Sequence, residues 1–281
     1  MNTPTLYIVA TPIGNLDDMT IRAVDTLKAV DLIAAEDTRH SRILLNHYHI
    51  STAMTSLHGD NEAAKTQKIL DRLAEGQSIA LISDAGTPLI SDPGEHVSQR
   101  VREQGFAVVP IPGPCALIAA LSVAGLSTKK FRFEGFLPHK GKMRREGLEV
   151  LCAETATLIF YESRHRILDF LKLASTVFGA NRRAAMAREL TKQFETVHVD
   201  TLQALNAWVI NDKNQQKGEY VVLIEGAAEQ PKTEGFATDR ILSVLSKHLP
   251  TKQAAKLTAE ITGESQRGLY QRVLDIKEKG T

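Results

Sequence analysis

The chain has 281 residues, 43% of them hydrophobic, and its 34 basic and 33 acidic residues give a formal net charge of +1. This length and composition predict a soluble globular protein of roughly two domains, and the near-zero charge argues against a generally cationic coat for binding nucleic acid. Two distant cysteines, Cys115 and Cys152, predict neither a disulfide framework nor a zinc knuckle, and no secretory signal or membrane span is evident. We therefore expect a cytoplasmic protein that meets any polyanion through a local basic patch.

The first part of the chain alternates between strand patterns and helix patterns. Short apolar runs, typical of strands buried on both faces of a sheet, occur at Thr5–Ala10, at Asp31–Ala35, from Ile79 onward and at Ala107–Ile111. Helical patterns follow them at Thr20–Ala29, Ser41–His47, Glu62–Glu75 and Glu95–Gln104. This strict alternation predicts a parallel sheet covered by helices on both faces.

A proline-rich break, Pro110-Ile111-Pro112-Gly113-Pro114, separates this pattern from a helix of small residues at Cys115–Ala124. The start of that helix either meets an anionic or polar ligand group through its free N–H groups or follows a rigid hinge between domains. Further strand patterns, which predict a mixed sheet, lie at Lys130–Gly135, Thr157–Glu162, Arg183–Glu189, Thr196–Asp200 and Glu219–Gly226.

The C-terminal part begins after a small, polar, proline-bearing linker at Ala227–Gly235. Three short helical patterns follow, at Thr238–His248, Lys252–Thr262 and Ser265–Lys279. They resemble a helix-turn-helix unit, although a small helical cap with a solvated charged face has the same pattern. We expect an N-terminal α/β domain at residues 1–112, a second α/β domain at 113–228 and the helical unit at 236–281.

The segment Ile79–Glu95, IALISDAGTPLISDPGE, is the first candidate site. Its apolar strand opens into a loop in which Asp84 lies just past the strand end. Open α/β sheets bind ligands outside the carboxyl ends of their strands, and glycines such as Gly86 let a ligand approach the backbone closely. A loop this long and proline-stiffened favours a binding loop over an ordinary connection.

The segment Ser127–Arg145, STKKFRFEGFLPHKGKMRR, is the second candidate site, because it concentrates positive charge in a nearly neutral chain. We expect Lys140, Lys142, Arg144 and Arg145 to hold RNA phosphates from a loop around Gly141. Aromatic residues among cations suit a single-stranded RNA platform, but the alternating phenylalanines of this segment are also what the core side of a strand needs.

Several motifs occur in one order along the chain. They are Val9–Leu16 (VATPIGNL), Ser83–Pro88 (SDAGTP), Pro112-Gly113-Pro114 and Phe160–Ser163 (FYES). With them the chain resembles the tetrapyrrole methylase superfamily over nearly its whole length. The segments Glu36–Arg39, Ser56–Glu62, Phe133–Pro138 and Leu257–Tyr270 are similar to the members that methylate a ribose 2′-oxygen in ribosomal RNA rather than to the porphyrin enzymes.

This resemblance implies a two-domain α/β fold and a homodimer that uses S-adenosyl-L-methionine (S-adenosylmethionine) and no metal. The implied reaction is 2′-O-methylation of a cytidine in the decoding region of 16S rRNA in the small ribosomal subunit. The cofactor is expected to contact Pro12, Asp84, Ala85, Gly86, Thr87, Ile90, Cys115, Ala116, Tyr161 and Leu190. The superfamily's usual Gly-Asp-Pro loop reads Ser83-Asp84-Ala85 here and is longer. A GxGxxG motif after the first strand, which a dinucleotide-binding fold would need, is absent from the sequence.

Such a reaction needs a group that removes the proton of the ribose hydroxyl, whose pKa lies far above neutral. We expect Glu36 to accept it and Arg39 either to stabilise the developing alkoxide or to hold a phosphate. His58 and Glu62 form a second candidate pair. In the alternative interpretation, Glu36 or Asp37 caps the following helix and Arg39 pairs with one of them.

Three functions remain open on the sequence: a ribosomal RNA ribose methyltransferase, a small-molecule tetrapyrrole methylase and a nonenzymatic nucleic-acid binder. The basic segment and the added C-terminal helices favour RNA, since a porphyrin site would need an apolar trough and no extra unit.

Overall fold

The computed structural model describes residues 3–59, 61–228 and 234–279, with the side chains of 234–237 and 276–279 left aside. Asp60, within the predicted Ser56–Glu62 motif, and residues 229–233 of the predicted linker lie outside the described residues. Contacts divide the chain into two compact units, Met1–Ala227 and Ala228–Thr281. Both α/β regions therefore belong to the first unit, and the expected boundary near residue 112 marks the passage from one sheet to the next.

The first sheet is five-stranded and parallel, in the order β3-β2-β4-β1-β5. Its strands are β1 (Thr5–Val9), β2 (Leu32–Ala35), β3 (Met54–Ser56), β4 (Ile79–Ile82) and β5 (Ala107–Ile111). Its helices are α1 (Ile21–Ala29), α2 (Thr38–His47), α3 (Glu62–Ala74) and α4 (Glu95–Glu103). Every residue of β2 and β4 is buried, as unbroken apolar runs require between two helical layers. The sequence missed β3, because three half-buried residues carry no readable pattern.

The second sheet is mixed, in the order β6-β7-β10-β8-β9, with β6 and β7 parallel and the other pairs antiparallel. Its strands are β6 (Phe131–Phe136), β7 (Thr157–Ser163), β8 (Arg183–Arg188), β9 (Thr196–Thr201) and β10 (Glu219–Ile224). The helices of this region are α5 (Ala116–Val123), α6 (Gly141–Val150), α7 (Ile167–Phe178) and α8 (Leu202–Asn211). The predicted α/β fold with a parallel and a mixed sheet is confirmed.

The two faces of the mixed sheet have separate cores. On one face, Phe160 of β7 packs with Phe170 of α7 and Leu205 of α8. On the other face, Leu117 and Leu121 of α5 pack against the sheet. Helix α5 is thereby held with its first turn near the carboxyl end of β7, where Tyr161 lies.

The predicted loop conformation around Gly141 is wrong, because these residues form the start of α6. Arg144, Leu148 and Leu151 recur at helical spacing, and all three are buried. A charged residue at the first of these positions hides the pattern in the sequence.

The second unit consists of α9 (Glu234–His248), α10 (Thr251–Thr262) and α11 (Gln266–Lys279). Leu242, Ala255, Leu269 and Val273 form its small core. Gly263 ends α10 in the left-handed conformation (φ +75°), which a glycine adopts without a Cβ penalty. None of the described helices is both long and apolar enough to cross a membrane.

Candidate functional site

A cavity of about 320 Å³ lies within the first unit, between loops of the parallel sheet and strand ends of the mixed sheet. Its size is within the usual range for small-molecule sites. The parallel-sheet side supplies Glu36 from the end of β2 and the segment 84–87 after β4. The mixed-sheet side supplies Tyr161 from β7 and Leu190 after β8. The cavity thus lies where the sequence places the first candidate site.

Nine of the ten residues expected to contact the cofactor line this cavity. They are Asp84, Ala85, Gly86, Thr87, Ile90, Cys115, Ala116, Tyr161 and Leu190. Pro12 is not among the described lining residues, whereas the neighbouring Ile13 is. The structure therefore brings together segments that are up to about a hundred residues apart in the chain.

Hydrogen bonds fix the loop after β4 to its neighbours. Thr11 and Gly86 exchange two main-chain bonds, with N···O distances of 2.8 and 3.0 Å. Gly86 has φ +83°, a value that favours glycine over a residue with a Cβ. The hydroxyl of Thr87 donates to the carbonyl of Pro114 at 3.0 Å, immediately before α5. The candidate loop is consequently held at the ends of both β1 and α5.

Backbone strain concentrates around the cavity. Five described non-glycine residues have positive φ, and four of them, Leu89, Ser91, Glu189 and Thr191, lie in the two loops that border it. Such conformations cost free energy and persist only where the surrounding structure enforces them, which is common at functional sites.

Two cavity carboxylates tie β2 to β4. The N–H of Asp84 donates to Glu36 Oε2 at 3.3 Å, and the N–H of Asp37 donates to Asp84 Oδ1 at 3.1 Å. Glu36 and Asp84 both line the cavity, so the predicted base and the predicted cofactor residue lie at one strand edge.

Arg39 has a different position from the one expected of a catalytic residue. Its side chain is 90% exposed, and its Nη2 donates to Asp37 Oδ2 at 2.9 Å. Asp37 also caps α2 by accepting the Arg39 N–H at 2.8 Å. Hydrogen bonds from the Arg39 side chain and N–H lower the pKa of Asp37 to about 2. Asp37 thus caps α2 and pairs with Arg39, as the alternative interpretation expects, and Arg39 is not among the described lining residues.

The second candidate pair, His58 and Glu62, is also outside the described cavity lining. Asn61 binds both the main chain and the ring of His58. Glu62 accepts the N–H of Val97, which joins α3 to α4. The Glu62 side chain thus links two helices of the parallel-sheet region, whereas the exposed His58 ring bonds to Asn61 in its own turn.

Asp92 is a cavity residue that sequence reasoning missed. Burial raises its pKa to about 6; a hydrogen bond with Ser83 opposes that rise, and the charges of Glu36 and Asp84 add to it. Its segment, Ser91-Asp92-Pro93-Gly94, lies inside the candidate loop, of which the local pattern singled out only Asp84 and Gly86. Of the two nearby carboxylates, Asp84 belongs to the same loop, whereas Glu36 comes from the end of β2 and leaves no local signal in the sequence around Asp92.

An ion-pair cluster of one lysine and two glutamates lies on the mixed-sheet side of the cavity and consists of Lys192, Glu189 and Glu219. Lys192 Nζ lies 3.0 Å from Glu189 Oε1 and 2.8 Å from Glu219 Oε2. Burial favours a lower pKa for Lys192, but the bonds to Glu219 and Glu189 outweigh it and raise the pKa. Because two carboxylates face one ammonium group, this ion-pair cluster carries a net negative charge. With Glu36, Asp84 and Asp92 opposite, the cavity favours a cationic ligand.

Aromatic rings form another part of the wall. The hydroxyl of Tyr161 accepts the N–H of Leu117 at 3.1 Å and so satisfies a donor in the first turn of α5. Burial raises the pKa of Tyr161, and the phenol stays protonated at neutral pH. The rings of Phe133 and Phe136 pack edge-on against Tyr161, at centroid distances of 4.8 and 5.6 Å. Phe136 is exposed as well as cavity-lining.

The predicted RNA-binding residues divide into two groups. Lys140, Lys142 and Arg145, which we call the basic helix start, are exposed around the first turns of α6. Arg144 is buried and donates to the carbonyls of Pro138 and His139, at 3.2 and 3.1 Å. Its guanidinium is committed to the main chain, and we remove Arg144 from the proposed phosphate contacts.

Arg166 is likewise unavailable to phosphates. Its Nη2 donates to Glu162 Oε2 at 3.1 Å and to the Leu137 carbonyl at 2.8 Å. Arg166 therefore links the chain between β6 and α6 to the cavity-lining Glu162.

Within the described part of the chain, no group of three or more histidine, cysteine, aspartate or glutamate side chains is arranged to hold a metal ion.

Comparisons with known proteins extend over both units. Residues 5–206 match the family Tetrapyrrole (Corrin/Porphyrin) Methylases, and residues 235–277 match the RsmI C-terminal HTH domain. Among solved structures, diphthine synthase superposes with a TM-score of 0.61 at 12% identity, covering 79% of this chain and 90% of that one. Cobalt precorrin-4 methyltransferase, a cobalamin biosynthetic enzyme, superposes with a TM-score of 0.57 at 16% identity, covering 79% and 94%. At such identities these two structures support the fold alone.

Sequence relatives are much closer. The Escherichia coli O157:H7 protein named Ribosomal RNA small subunit methyltransferase I is 52% identical over 270 residues, which are 96% of this chain and 94% of that protein. The Pseudomonas aeruginosa protein of the same name is 50% identical over 281 residues, covering 99% and 100%. The chain therefore belongs to the ribosomal RNA small subunit methyltransferase I family of tetrapyrrole methylases.

Proposed function

We propose that this chain transfers a methyl group from S-adenosylmethionine to the ribose 2′-oxygen of a cytidine in the decoding region of 16S rRNA. The observation that carries the proposal is the negatively charged cavity at the strand ends of a tetrapyrrole methylase fold. The name of the relatives supports ribosomal RNA of the small subunit as substrate. The basic helix start supplies a local surface for a polyanion in an otherwise neutral chain.

The residues of the cavity fit the proposed methyl donor. S-adenosylmethionine supplies a methyl group that is already activated on a positively charged sulfonium. Carboxylates such as Asp84 and Glu36 favour this positive charge, and they favour the neutral thioether product less, which helps its release. The backbone around Gly86 and the apolar side chains of Ile90 and Leu190 suit the uncharged parts of the molecule.

The remaining task of the protein is to orient the ribose and remove its proton. A carboxylate of the cavity wall must accept that proton, and Glu36 is one candidate because it lines the cavity. Arg39 keeps only its second proposed role, contact with a phosphate, since it is exposed and outside the described lining.

RNA binding is assigned to the basic helix start and to the C-terminal unit. Among the described residues, Lys142 pairs with Glu146 at 3.9 Å and Arg145 with Glu149 at 3.7 Å, each one helical turn away. Exposed ion pairs of this kind are weak, so both cations can exchange their partner for a phosphate. The C-terminal unit matches a helix-turn-helix domain of the same family.

We further propose a cytoplasmic homodimer. Ile21, Ile118 and Phe194 are large exposed apolar side chains. Their chain neighbours Thr20 and Ala119 line one further concave surface, to which the nearby Thr191 also contributes. Large exposed apolar side chains such as these suit contact with a second copy of the chain. Sedimentation equilibrium tests this proposal, and a monomer at micromolar concentration would refute it.

Methyl transfer is tested with methyl-labelled S-adenosylmethionine and three acceptors: unmodified small subunits, free 16S rRNA and a porphyrinogen. We expect label in the RNA of one of the first two. A 2′-O-methyl group removes the hydroxyl that attacks the adjacent phosphate in alkali, so the modified position resists alkaline hydrolysis. Label in the porphyrinogen alone would support the small-molecule alternative.

Cofactor binding is tested by calorimetry on Asp84→Asn, which removes the charge and keeps an oxygen for the Asp37 N–H. A lost charged contact corresponds to about 1.5–3 kcal/mol, so we expect affinity for S-adenosylmethionine to fall roughly 10- to 100-fold. Unchanged affinity would remove Asp84 from the site.

A further inference from the structure

Phe136 differs from the other aromatic residues of the cavity in its exposure. It lines the cavity and is nevertheless 56% exposed, whereas Tyr161 is half-buried and Tyr220 is buried. A single exposed apolar side chain is ordinary on a protein surface, but an exposed lining residue marks the opening of a cavity. Phe136 is the aromatic residue at that opening among the described lining residues.

A β-bulge in β6 turns this ring toward the cavity. Side chains alternate between the two faces of a strand, so Phe133 and Phe136, three residues apart, would lie on opposite faces of a regular strand. The register of β6 with β7 shifts between Phe133 and Gly135, and Phe136 is thereby paired with Tyr161. Both phenylalanine rings consequently contact Tyr161, and Gly135 permits the bend with φ +62°. Bulges are common next to active sites, where they redirect a side chain.

The segment after Phe136 leads to the basic helix start and is held in place. Arg144 and Arg166 donate to the main-chain carbonyls of residues 137–139, at distances of 2.8–3.2 Å. Lys140 follows Phe136 by four residues, so their Cα atoms are at most about 14 Å apart. An aromatic ring close to exposed cations has the two parts of a site for single-stranded RNA, because the ring stacks on a base and the cations neutralise the phosphates.

We propose that Phe136 stacks on the base of the nucleotide whose ribose is methylated. This inference rests on the proposed function and deepens it by naming a contact with the RNA substrate. The ribose has to enter the cavity to reach the methyl group, and the base attached to it then lies at the opening, where the ring of Phe136 is. A base inside a helical stack has no free face, so the target nucleotide is turned out of its stack before it meets the ring.

The position of the ring favours the RNA over the methyl donor as its partner. Small-molecule sites enclose most of the surface of their ligand, which requires walls that are themselves shielded from solvent. Half-buried and buried lining residues, such as Tyr161, Leu190 and Val221, provide such walls for S-adenosylmethionine. The exposed ring of Phe136 is on the same side of the opening as the basic helix start, where a polyanionic reactant binds.

The test measures single-turnover methylation of unmodified small subunits at limiting subunit concentration, with full-length variants. Loss of one base–aromatic stack weakens binding roughly 5- to 150-fold, so we expect Phe136→Ala to lose that factor in rate. Phe136→Tyr keeps a stacking face and should retain most of the rate, whereas Phe136→Leu keeps only apolar bulk and should behave like the alanine variant. Phe131→Ala is the matched control and should keep the wild-type rate, because Phe131 is a 44% exposed residue of the same strand and outside the described lining.

Calorimetry separates a contact with RNA from a contact with the cofactor. The affinity of Phe136→Ala for S-adenosylmethionine should equal that of wild type. An affinity loss as large as the loss in rate would assign the ring to the cofactor and overturn the proposal. Equal melting temperatures would exclude unfolding as the cause of a lower rate, and the comparison of Phe136→Tyr with Phe136→Leu remains decisive if the alanine variant is unstable.

A further readout needs no methyl transfer. Trp208, the single tryptophan, packs against the core, so Phe136→Trp places a second indole at the opening of the cavity. A base stacked on this indole quenches its fluorescence, and we expect small subunits to quench Phe136→Trp but not Phe131→Trp. Equal quenching of the two variants, or a wild-type rate in Phe136→Leu, would overturn the stacking role while RNA methylation stands. If the wild type methylates no RNA, the proposed function fails and the stacking role of Phe136 fails with it.

Discussion

The ion pair between Glu162 and Arg166 allows a quantitative test of what holds the mixed-sheet side of the cavity. The Glu162 side chain is 0% exposed and that of Arg166 is 11% exposed, and Arg166 Nε lies 3.0 Å from Glu162 Oε1. Replacing Arg166 with alanine would leave a buried carboxylate with only the N–H of Ser163 and the charge of Arg144 to stabilise it. It would also release the carbonyl of Leu137.

Breaking one side of a buried pair typically costs about 3–5 kcal/mol. For a unit of this size, each kcal/mol lowers the melting temperature by roughly 2–4 °C, so we expect Arg166→Ala to melt about 6–20 °C below wild type. Arg164→Ala is the matched control, because Arg164 is an exposed arginine of the same segment, and its change should stay within about 0.5 kcal/mol.

The cost of Arg166→Ala should depend on pH. Burial raises the pKa of Glu162 in the folded wild type, although the Ser163 N–H and both arginines oppose the rise. Loss of Arg166 raises it further. A folded-state pKa above the unfolded value means that the folded state binds more protons, so the penalty is absent below the unfolded pKa of about 4.3 and complete above the folded one. Arg166→Ala should therefore be less destabilised at pH 5 than at pH 8.

Urea unfolding followed by tryptophan fluorescence measures these differences. Trp208, the single tryptophan, packs against the core that contains Phe160 and Phe170. Adding Glu162→Gln to Arg166→Ala removes the unpaired charge and should restore part of the lost stability. A variant Arg166→Ala within about 1 kcal/mol of wild type at pH 8, or a double variant no more stable than the single one, would refute this reasoning.

Two further predictions concern RNA. Replacing the three residues of the basic helix start with alanine should lower the slope of log RNA affinity against log salt by roughly 0.7–0.9 per lost phosphate contact, with cofactor affinity unchanged. A control variant that replaces the exposed Lys28, Lys68 and Lys172 should keep the wild-type slope. An identical slope in the two triple variants would reject phosphate binding by the basic helix start. A chain ending at Ala228 should bind S-adenosylmethionine as the full chain does but methylate small subunits poorly; equal activity in the labelled-methyl assay would make the C-terminal unit dispensable for RNA.

The sequence alone determines much of the fold because local patterns report it directly. Strands such as β4 lie between two helical layers and must be apolar on both faces. Their unbroken apolar runs can therefore be recognised in the sequence without knowing which strands they pair with. The candidate loop can be recognised for a related reason. Asp84 and Gly86 directly follow such an apolar run, and parallel sheets bind ligands at the carboxyl ends of their strands. Tyr161 and Leu190, by contrast, were predicted only through the family resemblance, which carries tertiary information that local patterns lack.

The tertiary structure decides which charges are free and which are buried. Arg144 and Arg145 are adjacent in a basic run, yet one is buried against main-chain carbonyls and the other is exposed. The Lys192 bond to Glu219 and the approach of Glu36 to Asp92 join residues far apart in the chain. Desolvation and charge coupling act through space and fall off steeply with distance, so the pKa of Asp92 is raised only where the fold buries its carboxyl group beside Glu36 and Asp84.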